Sequence, residues 1–381
     1  MVHGTHEPRF APLRDLFAAH LADGTDVGAS IAVVHDGAVV ADLWGGEARP
    51  GVAWERDTIV QVWSVTKTMA ALAVLVLAEQ GAIDVDAPVA RYWPAFAAHG
   101  KDDVRVRQVL GHTSGVPGWT RPVSVADMLD LPLSEEWLAA EESWYEPGSA
   151  PAYQILNHGH LLDAIVRGAT GRTLAQVLRT EITGPLGADF LLGVPMEQQH
   201  RCADLIKPPP ISPDSPQLAL PPDHFLFRTL LNPNLSPRLC NGAQWRAGEV
   251  GAAGGHGGAL GVALAQAPVS HGGAFDTPSG RVRLLGEELL GRLFEVQASG
   301  TDLVLDVPLT FGIGYGLPTS QAPAVGSGRV LWWTGWGGSV VVNDLDRRAT
   351  IAYTPNRLVE HLVSSPRTDA VLSTAFACLD A

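Results

Sequence analysis

The longest apolar stretch in this chain is a run of ten residues at positions 69–78. It lies within residues 65–80, whose pattern predicts one strongly apolar helix. A membrane span needs about 20 apolar residues, so this helix is too short to cross a bilayer. The N-terminus also lacks the basic start and apolar core of a secretory signal. We therefore expect a soluble, cytoplasmic protein that does not bind a membrane.

The composition is that of a globular protein. The chain has 381 residues, of which 46% are hydrophobic and 17% are charged. This length predicts two or three domains, or one domain with a large insertion. The net charge is −14, and the sequence has no lysine- and arginine-rich tract. We therefore expect no nucleic-acid partner, whereas small neutral or apolar ligands remain possible.

The two ends of the chain have patterns that predict a shared β-sheet. A helix is expected at residues 10–22, and residues 27–46 place two apolar stretches about a turn, as in a β-hairpin. Near the C-terminus, three short strands and a final helix are expected at residues 329–333, 339–343, 350–353 and 358–379. Together the two ends predict one antiparallel sheet flanked by N- and C-terminal helices.

The middle of the chain has a different pattern. Further helices are expected at residues 125–131, 156–170 and 173–182. The proline-rich residues 207–222 and the glycine-rich residues 251–261 are expected to form no regular element. We therefore predict an α+β fold in two parts: a sheet domain from residues 1–80 and 285–381, and a large, mainly α-helical inserted domain at residues 81–284.

Ser64 and Lys67 are the first candidate catalytic residues, at the start of the apolar helix. Their spacing of three residues puts the serine Oγ and the lysine Nζ on one helix face. A serine hydroxyl needs a base to accept its proton, and a desolvated lysine can serve as that base. Alternatively, Ser64 is a helix cap and Lys67 is solvated. Against this alternative, only Lys67 among the three lysines has a serine three positions before it.

Here the sequence resembles the serine β-lactamase and penicillin-binding-protein superfamily. The resemblance is greatest to class C β-lactamases and to the β-lactamase-like carboxylesterases called family VIII esterases. Besides Ser-x-x-Lys, four segments carry the resemblance: residues 109–115 (Leu-x-His-Thr-Ser-Gly), 146–153 (Pro-Gly-x4-Tyr), 168–171 (Thr-Gly) and 184–187 (Pro-Leu-Gly). The five pieces occur in the family's order along nearly the whole chain. The resemblance implies a β-lactamase-like fold and acyl transfer through a serine.

Tyr153 matches the tyrosine of the family's Tyr-x-Asn motif. The resemblance implies that it works beside the lysine, first as general base and later as general acid. A phenol has an ordinary pKa of about 10, so we expect the Lys67 ammonium to lower the pKa of Tyr153. Tyr145 is the alternative for this role. The motif continues as Gln154-Ile155, so the asparagine that helps β-lactamases hold the substrate amide is missing.

The family's Lys-Thr-Gly motif maps onto the segment Trp333-Thr334-Gly335, which continues as Trp336-Gly337-Gly338. The resemblance implies that the backbone N–H groups of Ser64 and Trp336 form an oxyanion hole, and glycines let a substrate lie against the backbone. Trp333 replaces the lysine that grips the carboxylate of penicillins and peptides. An uncharged acyl or alkyl group therefore suits the site better. One of the arginines of the chain, for example Arg357 just after the last predicted strand, could replace the missing cation.

These observations lead to one expected function. Ser64 attacks an ester carbonyl, Lys67 and Tyr153 move its proton to the leaving alcohol, and water then hydrolyses the acyl-enzyme. We therefore expect a serine carboxylesterase for short-chain, uncharged acyl esters, acting on small molecules without a cofactor or metal. The alternatives are an acyltransferase with the same acyl-enzyme, a β-lactamase or D-amino peptidase of the same fold, and a binding protein without activity.

Overall fold

The computed structural model describes residues 1–213 and 215–381. The strands are β1 (Val2–His6), β2 (Gly28–His35), β3 (Ala38–Arg49), β4 (Val52–Ala53), β5 (Val60–Gln61), β6 (Phe190–Leu192), β7 (Gly255–Gly257), β8 (Ala274–Thr277), β9 (Gly280–Arg283), β10 (Ala298–Thr301), β11 (Pro308–Phe311), β12 (Val330–Thr334), β13 (Val340–Asp344) and β14 (Ala349–Pro355).

The helices lie before, between and after groups of these strands along the chain. They are α1 (Ala11–Asp23), α2 (Thr66–Glu79), α3 (Val106–Leu110), α4 (Val125–Leu129), α5 (Leu131–Ala139), α6 (His158–Thr170), α7 (Leu174–Val177), α8 (Gly184–Leu186), α9 (Phe225–Leu230), α10 (Pro237–Cys240), α11 (Ala243–Ala247), α12 (Ala259–Ser270), α13 (Glu287–Arg292) and α14 (Pro366–Leu379). None of the helices in the described part of the chain has the length and apolar character that a membrane span requires.

The two chain ends form one antiparallel sheet, which confirms the predicted fold class. Its strand order is β1-β3-β2-β14-β13-β12, and β4 extends it at β3. The N-terminal hairpin β2–β3 pairs with the C-terminal strands through β14, in the register Ile31 opposite Tyr353. The terminal helices α1 and α14 pack against each other. The sheet therefore joins residues more than 300 positions apart.

Helix α2 is the apolar helix that the sequence predicts. All of its residues from Thr66 to Leu77 are buried, as expected for a helix that is apolar on every side. It packs between strand β12 of the sheet and helix α6 of the middle segment. The start of α2 therefore lies where the sheet meets the helices.

The C-terminal helix is shorter than predicted. It begins at Pro366 rather than at residue 358, and the Ser365 hydroxyl accepts a hydrogen bond from the N–H of Thr368. A proline disfavours helical geometry in the residue before it, so the helix begins there. The residues before the helix form bends and irregular structure instead, and the Leu358 N–H donates to the carbonyl of Ile206.

Other predicted elements also differ in detail. The expected helix at residues 125–131 ends at Leu129, and a second helix, α5, begins two residues later. The expected helix at residues 173–182 divides into α7 and a π-helix, Leu178–Thr183. Residue 214 of the proline-rich segment lies outside the described residues, and the described part of the segment contains one short 3-10 helix, Pro216–Ala219.

The expectation of no regular element at residues 251–261 is wrong. Strand β7 lies there, paired with both β5 and β6, and α12 begins immediately after it. A Cβ on Gly255 would lie 2.7 Å from Thr66 Oγ1, so this strand needs glycine to approach helix α2. Helix α12 packs against β2 and β14, although it lies within the segment predicted as an insertion. The two-domain division at residues 81 and 284 stays a prediction.

Candidate active site

Ser64 lies in a 3-10 turn, Trp63–Val65, that leads directly into α2. Trp63 has a left-handed backbone conformation with φ 48°, which costs free energy for a bulky residue. Strained conformations of this kind are found most often at functional sites. The turn leaves Ser64 half-buried on the wall of a cleft, whereas the residues on both sides of it are buried. The serine side chain is thus accessible to a small molecule at the start of the apolar helix.

Lys67 lies directly behind Ser64 and is buried. Its Nζ lies 3.0 Å from Ser64 Oγ, and it donates to the carbonyls of Ile155 at 2.7 Å and Ala252 at 3.0 Å. Burial holds the pKa of Lys67 well below its ordinary value. A neutral amine has two N–H groups and one lone pair. With both N–H groups directed at carbonyls, the lone pair is left for the Ser64 hydroxyl.

The Ala252 carbonyl reaches Lys67 because α6 approaches the glycine-rich segment very closely. A Cβ on Gly159 would lie 2.4 Å from the backbone nitrogen of Ala252 and 2.5 Å from the Cα of Gly251. Only glycine at position 159 allows this approach without a shift of the backbone. The local sequence of α6 therefore positions one of the two carbonyls that orient the lysine.

Tyr153 joins Ser64 and Lys67. Its hydroxyl accepts a hydrogen bond from Trp333 Nε1 at 2.9 Å, and it lies beside Ser64 in the lining of the same cleft. Lys67 Nζ lies 4.7 Å from the centre of the Tyr153 ring. Burial raises the pKa of the Tyr153 phenol, and its contact with Ser64 and the hydrogen bond from Trp333 oppose that rise. The expected lowering of this pKa by a Lys67 ammonium is wrong, because burial also disfavours the charge on Lys67.

The segment after Trp333 forms a tight turn beside Ser64. The Trp336 ring meets the Trp63 ring edge-on, with 4.9 Å between their centres, and both rings line the cleft. A Cβ on Gly335 would lie 2.2 Å from the Val62 carbonyl oxygen, so the turn can approach the Ser64 segment only with glycine at this position.

Helix α14 holds the same turn from behind. Gly337 and Gly338 have φ values of 98° and 90°, which favour glycine. Arg367 Nη2 donates to the Gly337 carbonyl, and the Thr368 hydroxyl donates to the Gly338 carbonyl at 3.0 Å. The first turn of α14 therefore fixes the backbone that follows Trp336.

The residues around Tyr153 also show where this chain departs from the family motif. Gln154 is buried, and its amide donates to Ser114 Oγ at 2.6 Å rather than lining the cleft. The side chain of Ile155 lies in the cleft wall. Tyr145, the alternative to Tyr153, hydrogen-bonds to the His112 carbonyl at 3.3 Å. The structure thus brings Tyr153, and not Tyr145, to Ser64.

The cleft in front of Ser64 has a volume of about 200 Å³ and is lined mainly by apolar side chains. A second cavity of about 350 Å³ adjoins it, and the two share part of their lining, including Leu305 and Glu360. Among the residues that the structure describes, the cleft lining contains the acidic residue Glu360 and neither lysine nor arginine. Arg357 donates to the Gly24 carbonyl instead, so it does not replace the missing cation.

Two residues that contact Tyr153 were not identified from the sequence as site residues. The His112 ring packs 4.9 Å from the Tyr153 ring, and burial holds the His112 pKa well below its ordinary value. His112 belongs to the segment 109–115 that carries the family resemblance, so that motif could have indicated it. Asp302 accepts the backbone N–H of Tyr153 at 2.9 Å. No sequence motif marks Asp302, because the contact joins positions 149 residues apart.

Comparison of this chain with known proteins identifies its family. Residues 13–376 match the beta-lactamase family. The chain is 34% identical over 376 residues to the esterase/beta-lactamase LipL of Mycobacterium tuberculosis, covering 95% of this chain and 84% of LipL. It superposes on a family VIII carboxylesterase with a TM-score of 0.90 and 32% identity, over 99% of this chain and 100% of that one.

A penicillin-binding protein homolog from Caulobacter crescentus is also similar, with a TM-score of 0.88 and 31% identity over 99% of this chain and 100% of that chain. The family match covers nearly the whole length of the chain, including the Ser64 turn and the strands from β2 to β14. The chain therefore belongs to the beta-lactamase family and is a serine hydrolase.

Proposed function

We propose that this protein is a serine carboxylesterase that hydrolyses short-chain, uncharged acyl esters through an acyl-enzyme on Ser64. The observation that carries this proposal is the arrangement of Lys67, whose amine lies between the Ser64 hydroxyl and two backbone carbonyls. Esterase activity is also in the names of similar proteins: the LipL relative, the family VIII carboxylesterase and esterase EstB of Burkholderia gladioli.

In the first step, Ser64 Oγ attacks the ester carbonyl carbon while its proton moves to the lone pair of Lys67. This transfer requires a neutral amine, which burial of Lys67 favours. The carbonyl oxygen becomes an oxyanion between the backbone N–H groups of Ser64 and Trp336. Preorganised donors of this kind commonly contribute about 10²- to 10³-fold to kcat.

In the second step, the bond to the leaving alcohol breaks and that oxygen needs a proton. Tyr153 is the donor, because its raised pKa keeps the phenol protonated near neutral pH and its hydroxyl is close to Ser64. The Lys67 ammonium then returns a proton to the Tyr153 phenolate. Water attacks the acyl-enzyme with the same groups as base and acid, which restores the Ser64 hydroxyl.

The cleft supports the specificity part of the proposal. The cleft of about 200 Å³ directly in front of Ser64 is lined mainly by apolar side chains, which suits a short, uncharged acyl chain. A substrate carboxylate needs a charge-assisted partner, and the cleft offers the Glu360 carboxylate instead. Trp333, at the position of the family lysine, donates to Tyr153.

One comparison tests this function against a β-lactamase or D-amino peptidase. The kcat/KM values for p-nitrophenyl butyrate and nitrocefin are measured on the same preparation. We expect the ester to be favoured by about 10²-fold or more, because nitrocefin brings a carboxylate without a partner. Comparable values for the two substrates would overturn the esterase assignment. Release of butyrate, rather than its transfer to an added alcohol, would distinguish hydrolysis from acyl transfer.

A further inference from the structure

A buried carboxylate fixes the backbone at Tyr153. Asp302 lies in the turn between β10 and β11 and is fully buried. Its Oδ1 accepts the N–H groups of Val304 at 2.9 Å and Leu305 at 2.8 Å, and its Oδ2 accepts the N–H of Tyr153 at 2.9 Å. One oxygen therefore holds its own turn, and the other holds the residue that carries the phenol.

A second contact aligns the same two segments. The N–H of Leu303 donates to the carbonyl of Pro151 at 2.9 Å, so the turn is joined to the residues before Tyr153 at two points. The Tyr153 ring packs against the rings of His112 and Trp333, at 4.9 and 5.1 Å between centres. A shift of the backbone would move the phenol against both rings and away from Ser64.

We propose that Asp302 is a positioning residue for Tyr153, and that its negative charge is required to keep the phenol in place for proton transfer. This proposal rests on the role of Tyr153 in the proposed function. A carboxylate can accept all three N–H groups, since it has acceptor sites on both oxygens. A protonated carboxyl places an O–H among those donors and leaves a weaker acceptor on that oxygen, so at least one of the three hydrogen bonds is weakened.

This requirement predicts a pH dependence. Burial raises the pKa of Asp302 to about 6, although its backbone hydrogen bonds lower it. The titratable groups that face Asp302 are the phenols of Tyr145 and Tyr153, and burial raises the pKa of both. Asp306, on the same turn, is exposed. Asp302 is therefore the group that changes charge in this cluster as the pH falls through about 6, and kcat falls with it.

The test measures kcat, KM and the pH profile for p-nitrophenyl butyrate with Asp302→Asn and Asp302→Glu. An asparagine presents one oxygen and one NH2 group, so it cannot accept at both positions. We expect Asp302→Asn to lower kcat about 10-fold, equivalent to one lost hydrogen bond, with KM within about 2-fold. The component of its pH profile near 6 should disappear, while any component from Lys67 remains. Asp302→Glu keeps the charge and should restore that component.

A double-mutant cycle separates positioning from general destabilisation. In a Tyr153→Phe background, Asp302→Asn should cause no further loss of kcat, because Asp302 acts through the phenol. Asp163→Asn is the matched control. Asp163 is another buried carboxylate that accepts a backbone N–H, from Leu174 at 2.6 Å, and its replacement should leave kcat and the pH profile unchanged.

Several results would overturn the proposal. They are an additive loss in the Tyr153→Phe background, an Asp302→Asn variant with the kcat and pH profile of the wild type, or an Asp163→Asn variant with the same defect. If Asp302→Asn does not fold, the pH profile of Asp302→Glu decides, since a component near pH 6 that is retained supports the requirement for a carboxylate and a profile without that component contradicts it. A Tyr153→Phe enzyme with normal kcat would instead refute the proposed role of Tyr153 itself.

Discussion

The indole N–H of Trp333 donates a hydrogen bond to the hydroxyl of Tyr153, with 2.9 Å between the two heavy atoms. Trp333 stands at the position that resembles the lysine of the family's third motif. The tryptophan therefore removes a cation from the site and also supplies a donor to the phenol. Because a donor favours the phenolate, it assists the step in which Tyr153 gives up its proton.

Replacing Trp333 with phenylalanine tests this role. The change keeps an aromatic ring but removes the N–H group, so we expect kcat for p-nitrophenyl butyrate to fall about 3- to 10-fold, the value of one neutral hydrogen bond. Trp332→Phe is the matched control. The neighbouring indole donates to the Leu317 carbonyl at 3.0 Å instead. A Trp333→Phe enzyme with unchanged kcat, or an equal kcat loss in both variants, would contradict the assignment.

Lys67→Arg tests whether the base must be neutral. A guanidinium does not lose its proton in proteins, so we expect kcat to fall by about 10²-fold or more. In the wild type, kcat should rise with pH as the amine of Lys67 loses its proton. Burial holds the pKa of Lys67 well below the usual value for lysine, so this rise should occur at a lower pH than for an exposed lysine. Lys207→Arg, at an exposed lysine, should have normal kcat. A substantially active Lys67→Arg enzyme would exclude Lys67 as the base.

Glu360→Gln tests how the cleft selects the charge of its substrates. The side chain keeps its shape but loses its charge, so an anionic ester should no longer be repelled. We expect kcat/KM for p-nitrophenyl hemisuccinate to rise about 3- to 10-fold at low salt, with little change for p-nitrophenyl pentanoate. Glu288→Gln, at an exposed site on α13, serves as the control. An equal change for both esters would show that charge is not the cause.

Glu135 provides a prediction about stability. Its carboxylate lies 3.4 Å from Arg167, which also lies 3.7 Å from Asp163. Burial, followed by the nearby Asp163, raises the pKa of Glu135 to about 8. The folded protein therefore holds a proton that the unfolded chain releases near its ordinary pKa of 4.5, and the free energy of unfolding falls as pH rises between these values.

Glu135→Gln should remove this loss of stability, because glutamine resembles the protonated carboxyl. We expect the variant to gain stability relative to the wild type as pH rises from about 4.5 to about 8, and to gain nothing further above that range. Urea unfolding of both proteins across this range measures the difference. A difference that does not depend on pH would mean that Glu135 is ionised in the folded protein.

The sequence predicts some of these features better than others. The hairpin β2–β3 and the helix α2 follow from local periodicity, and Ser64 and Lys67 are brought together by a spacing within one helix. The contact between Asp302 and Tyr153 depends on two turns far apart in the chain, so no local pattern marks it. Strand β7 was missed for a similar reason. Its Gly-His-Gly sequence has little strand propensity, and pairing with β5 and β6 stabilises it.

In the proposed mechanism Ser64 carries the acyl group. This role is tested by quenching the enzyme with acid during turnover of p-nitrophenyl butyrate and mapping the modified peptide by mass spectrometry. We expect one added butyryl group on the peptide that contains Ser64, and no adduct in a folded Ser64→Ala variant, which should also lose hydrolysis. A butyryl group on another residue, or a folded Ser64→Ala enzyme that retains most of its turnover, would contradict this role.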